Sequence, residues 1–201
     1  MDQNEAYFVF VEGLDDINLA TVSDGVQKAA IMAINNTAKF ARADAAKMIR
    51  DRYNFPGNYL DPSQDRLVVS KYAQRNNLEA IIKSRRRATS LARFIISDSG
   101  QNRQGVVVEV LKGTSKRMDH AFRVGLKNSN AGLAIRTKNG EKPSAAFRPK
   151  PFKDKHGRIK FWLLYGMSVN QAFIHASQME EERASVYLQS EFSRLMDEVM
   201  I

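Results

Sequence analysis

The chain has 201 residues, 43% of them hydrophobic and 26% charged, which is the make-up of a globular protein large enough to bury a core. It has no cysteine, which excludes disulfides, thiolate metal sites, iron–sulfur clusters and thiol nucleophiles. The formal charge of +9 is unevenly spread: residues 1–24 carry −6, residues 177–201 carry −4, and the stretch between them carries +19 from 29 basic and 10 acidic residues.

The opening, with Asp2 and Glu5 and only six consecutive apolar residues (Ala6–Val11), lacks the basic start of a signal peptide and the length of a membrane span. A soluble, unexported protein is expected, with no membrane partner. Glu5–Val11 reads as a strand, rich in Tyr, Phe and Val. Gly13 ends it, and Asp15–Asp16 suit the positive end of a helix dipole. From Ile17 to Arg52 apolar and small residues recur every three or four positions, from Val22 through Ala33 and Phe40 to Ile49, while Lys28, Lys39, Arg42, Lys47, Arg50 and Arg52 take the other face. Unbroken, this helix would be ~50 Å long, against ~40 Å for a compact domain of this size. It therefore either breaks, with Asn35–Asn36 the favoured place, or reaches past its own domain.

Phe55-Pro56-Gly57-Asn58 and Asp61-Pro62 punctuate Asn54–Ser63. Leu67–Tyr72, Leu78–Ser84 and the β-branched Gly105–Leu111 read as strands. Ala121–Leu126 and Gly132–Thr137 flank Lys127-Asn128-Ser129-Asn130, a hairpin turn. Asn139–Gly157 holds three of the five prolines and reads as a long basic loop, either ordered on a partner or mobile. Arg158–Tyr165 returns as a strand. Ser168-Val169-Asn170-Gln171 is a capping box opening a last helix, whose apolar stripe runs from Val169 and Phe173 to Leu195 and Val199, interrupted at Glu180–Glu182. The expected architecture is α+β: one domain over 1–201, a mainly antiparallel β-sheet packed with a long N-terminal and a C-terminal helix.

No catalytic set emerges, and no cofactor or metal is called for. His120, His156 and His175 have no second His at metal-ligand spacing. A nuclease reading would need Glu109, Lys112 and Asp98 to converge, but three residues apart on a strand Glu109 and Lys112 point to opposite faces. There is no phosphate-binding glycine loop and no nucleophile elbow. The chemistry-bearing features are basic clusters: Lys83/Arg85/Arg86/Arg87, Lys112/Lys116/Arg117, and Arg148/Lys150/Lys153/Lys155/Arg158/Lys160. The third is interleaved with Phe147, Phe152, Phe161 and Trp162, a mixture suited to phosphates and bases or, more plainly, to a solvated loop beside a sheet. Arg85, Arg86, Arg87, Lys150, Lys153, Lys155 and Arg158 are the candidate nucleic-acid or partner-facing cations. Tyr7, Phe8, Phe147 and Phe152 are the candidate subunit contacts.

Lys28-Ala29-Ala30-Ile31-Met32-Ala33-Ile34-Asn35-Asn36-Thr37-Ala38-Lys39, running on through Ala41-Arg42 to Ile49-Arg50, resembles the opening helix of the minor tail protein Z family, the tail-completion proteins of long-tailed bacteriophages and prophages. Asn77-Leu78-Glu79-Ala80-Ile81-Ile82, Leu91-Ala92-Arg93-Phe94, Val106-Val107-Val108-Glu109-Val110 and Leu164-Tyr165-Gly166-Met167-Ser168-Val169 follow in the family's order. The resemblance spans about residues 20–175 and is carried by order and length rather than by one motif. Met167 stands where the family usually has proline. The resemblance implies a non-enzymatic virion protein, assembled in the host cytoplasm, that completes the head-proximal end of the tail, helps join head to tail and positions the genome. It implies a homo-oligomeric ring, a hexamer favoured. Its implied neighbours are the tail tube or tail terminator protein, the head–tail connector proteins and, transiently, double-stranded DNA in the channel. A ring needs head-to-tail interfaces that close, and a chain of mixed charge can supply complementary faces. A channel that lets DNA slide should not grip phosphates, so the basic clusters are not assigned to its lumen. They can instead face an acidic partner ring. The alternative is a basic nucleic-acid-binding module without catalysis.

Overall fold

The computed structural model describes residues 6–10, 24–98, 105–126 and 130–199. The α+β class holds, with antiparallel sheets and a long helix towards each end of the chain. The strands fall into three sheets, and the chain divides into two compact units. The first unit takes Met1–Ile49, Leu60–Arg86 and Asn170–Ile201; the second takes Arg50–Tyr59 and Arg87–Val169.

In the first unit, β1 (Ala6–Phe10), β2 (Leu67–Lys71) and β3 (Glu79–Ser84) form a sheet in the order β1-β3-β2. The expected N-terminal strand is thus paired to its own chain, with Tyr7 opposite Ile82 and Phe8 opposite Ile81. Helix α1 (Asp24–Arg52) is continuous through Asn35–Asn36, so the expected break does not occur there. Both asparagines are committed to tertiary hydrogen bonds. Asn35 Nδ2 donates to the Ala73 carbonyl (3.1 Å) and its Oδ1 accepts from the Ala73 amide (2.7 Å), while Asn36 Nδ2 donates to Glu191 Oε1 (2.8 Å). The expected start of the helix, residues 17–23, lies outside the described residues.

Helix α2 (Val169–Val199) runs without interruption through Glu180–Glu182. Its Leu195 is buried with Ala29 and Ala33 of α1, beside Leu188, Phe192 and Met196. The alanines of α1 let this second helix approach closely, and dispersion contacts accumulate along the seam. Phe40 and Tyr187 stack face to face, ring centroids 4.3 Å apart, and Asp44 pairs with Arg183. A second apolar cluster joins Ile34 and Ala38 to Ala73 and Ala80. At the start of α2, Asn170 is buried and donates through Nδ2 to Ser84 Oγ (3.0 Å).

In the second unit, β4 (Ala88–Ser90), β8 (Ala121–Gly125), β9 (Ala131–Ile135), β10 (Lys150–Lys153) and β11 (Ile159–Ser168) form a five-stranded sheet, in the order β10-β11-β9-β8 with β4 also on β11. The expected hairpin across 127–130 is present as the antiparallel pair β8–β9, although residues 127–129 lie outside the described residues. Strands β5 (Ile95–Asp98), β6 (Val106–Leu111) and β7 (Thr114–Met118) make the third sheet. Just past α1, Tyr53 bridges to Leu111 and the Asn54 amide donates to the Val110 carbonyl. Phe55 stacks on Tyr59 (5.4 Å) and meets Phe94 edge-on (5.1 Å), giving this unit an aromatic core.

Candidate interaction surface

The last part of the expected basic loop, residues 150–157, is a built hairpin, while residues 138–149 hold two short 3-10 turns. Its Lys150–Lys153 stretch is the edge strand β10, paired with Leu163, Trp162, Phe161 and Ile159 of β11. The Asp154 carboxylate organises the turn: Oδ1 accepts from the His156 amide (2.8 Å) and the Arg158 amide (2.9 Å), and Oδ2 accepts from Arg158 Nε (3.1 Å). Gly157, at φ +79°, closes it in a conformation that favours glycine. The Arg158 amide, with the His156 amide and the Arg158 guanidinium, holds the Asp154 carboxyl below the usual range. The acid at the tip is therefore turned to internal work, and Lys150, Lys153, Lys155, Arg158 and Lys160 stand exposed around it.

The aromatic residues separate by burial. Phe161 and Trp162 belong to the sheet interior, the plainer of the two sequence readings. Phe152 stacks on Phe161 at 4.6 Å yet remains 41% exposed, so the hairpin shows one apolar face among its cations. Phe161 in turn meets Phe122 edge-on, and the Arg136 guanidinium lies 4.8 Å from the Phe122 ring centroid. Phe147 is half-buried, with the Lys116 ammonium 4.8 Å from its ring centroid. That contact joins the second and third basic clusters, which lie 30 residues apart in sequence and which sequence reasoning kept separate. β7 carries Lys116 there, and its polar run Thr-Ser-Lys-Arg gives no strand signal of its own.

Arg85, Arg86 and Arg87 are not a single exposed patch. Arg85 and Arg86 are half-buried and only Arg87 is exposed. The backbone of Arg85 is in use, its amide donating to the Arg66 carbonyl (2.9 Å) and its carbonyl accepting from the Asn170 amide (3.0 Å). The chain passes from the first unit to the second between Arg86 and Arg87. Tyr7 and Phe8 are placed on β1 by the backbone; their side chains lie outside the described residues.

The structure also sorts the charge. Among the described residues the first unit contains 12 basic and 11 acidic residues, net +1, and the second 17 basic and six acidic, net +11. Sequence windows expose a basic middle but not this partition, because residues 60–86 return to the first unit.

Among the described residues no three His, Asp or Glu side chains gather in a way that could hold a metal ion. Glu109 accepts from the Gly113 amide in its own hairpin (3.2 Å), and Asp98 ends β5 opposite Val106. His120 and His156 are exposed in turns and His175 is exposed on α2. No described helix is long and apolar enough to cross a membrane. No family profile, curated protein or solved structure matches the chain.

Proposed function

We propose that the chain is a structural subunit of a bacteriophage tail, a non-enzymatic ring component at the head-proximal end that completes the tail and helps join it to the head. On this reading it assembles in the host cytoplasm and resides in the virion. Its neighbours are other copies of itself, the tail tube or terminator protein and the connector proteins, with duplex DNA passing transiently. The ordered resemblance to the minor tail protein Z family supports this. The structural observation that carries it is an uneven charge between the two units, net +11 in the described residues of the second and +1 in those of the first, which can supply unlike faces to a closing head-to-tail contact. The test is deletion of the coding region from the phage or prophage that carries it. Filled heads and separate tails, rescued by supplying the protein, are the expected result; normal joined particles would refute the proposal.

A second reading, a nucleic-acid-binding module without catalysis, draws on the β10–β11 hairpin, which carries one exposed aromatic ring and five exposed cations. It requires submicromolar binding to a mixed-sequence duplex or single strand, with affinity falling steeply as salt rises.

A further inference from the structure

Resting on the ring reading above, we infer which two surfaces meet between neighbouring copies: the β10–β11 hairpin of one and the outer stripe of α2 of the next. The hairpin supplies the exposed Phe152, with the exposed Lys150, Lys153 and Lys155 before and after it along the chain. On α2, Glu182, Val186, Gln189 and Ser193 recur at helical spacing and are all exposed; Glu181, also exposed, lies about 100° round the helix from Glu182, and Arg183, three residues before Val186, is paired with Asp44. Val186 is 61% exposed, the most of any large hydrophobic residue among those described. Each surface thus has an apolar centre, with exposed lysines along the hairpin and the exposed Glu182 one turn before Val186 on α2. They come from different units of the chain. Both centres are exposed within one chain, so both are available to a second.

The mode of contact follows from the edge strand. β10 has Pro151 at its centre and a lysine at each end, features that discourage another strand from adding to an edge. The hairpin therefore docks through side chains, with Phe152 and Val186 excluding water and the lysines and glutamates setting register. A nucleic acid would satisfy the lysines but gives the acidic stripe of α2 no part.

The test is charge exchange in the full chain, read as association constants by sedimentation and light scattering. K153E/K155E and E181K/E182K should each weaken self-association about tenfold or more, since two like-charge contacts replace two attractive ones. The chain carrying all four reversals should regain most of it. V186D, at an exposed site, should weaken association with an unchanged melting temperature. A wild-type chain that stays monomeric at its highest soluble concentration overturns the interface. So does reversal without effect, or a quadruple variant no stronger than either pair. Loss of duplex DNA binding by K153E/K155E, with association intact, overturns it in favour of nucleic acid. Head joining in the deletion phage tests the tail reading separately: rescue by a chain that never self-associates would keep that reading and remove this interface.

Discussion

Replacing Asn35 with alanine separates two opposed expectations. By intrinsic propensity alone, Asn→Ala inside a helix is stabilising by roughly 0.5 kcal/mol. The structure reverses the sign. Asn35 satisfies both the amide and the carbonyl of Ala73, at 2.7 and 3.1 Å, and Ala73 is buried. Removing the side chain leaves two backbone groups without their partner, at about 1–3 kcal/mol each for desolvated groups, less whatever water recovers. Net of the propensity gain, a loss of about 2–3 kcal/mol is expected, or roughly 5–10 °C in melting temperature for a chain of this size. Asn36→Ala provides the control. It removes one bond, to a Glu191 that Arg194 also holds at 2.9 Å, so a cost under about 1 kcal/mol is expected. Calorimetry gives the ranking, and hydrogen exchange at the Ala73 amide gives the location, since protection there should fall selectively in the Asn35 variant. An Asn35→Ala protein as stable as wild type, or an Ala73 amide that keeps its protection, would refute the assignment.

Gly105→Ala should cost more than about 2 kcal/mol, because Gly105 has φ +77° and an added Cβ would lie 2.4 Å from the Met118 carbonyl oxygen. Trp162, the single tryptophan, sits in the same unit and reports its unfolding in urea. Phe152→Ala should cost about 2 kcal/mol by the same assay, from its partial burial and its stack on Phe161, and a neutral result would mean the ring adds nothing to the hairpin. Glu191 is held at about 2, against an ordinary 4.5, by the Arg194 guanidinium and then by Asn36. Its folded pKa is depressed, so its contribution is present above 4.5 and is lost as pH falls towards about 2. The difference in melting temperature between wild type and Glu191→Gln should therefore shrink through that window, and a constant difference would contradict the pairing.

Periodicity made the long elements legible. The three-and-four spacing of α1 and α2 and the β-branched run of β6 each bury one face, and burial is what those patterns record. The edge strands were not legible. β10 is Lys-Pro-Phe-Lys and β7 is Thr-Ser-Lys-Arg-Met, and only the partner strand makes either extended. Asn35–Asn36 misled because local preference could not anticipate a backbone amide and carbonyl 38 residues away. The two-unit division was hidden for a related reason: each unit is assembled from separate stretches, so composition does not shift where the chain crosses. Of the candidate surface, the cations and Phe152 were visible in the sequence. The turn that presents them, and the Lys116–Phe147 contact that enlarges them, were not.

The crossings of the chain also set an order of synthesis. Arg87–Ser168, nearly all of the second unit, is synthesised before α2. The alanine seam of α1 waits uncovered through that interval, for its partner residues Leu188, Phe192 and Leu195 come more than 150 positions later. A growing chain thus has the residues of its second unit in place while its first still lacks α2. If the hairpin and α2 are the two sides of a contact between copies, two chains that both stop short of α2 cannot make it, and chain order alone delays assembly between partly made subunits.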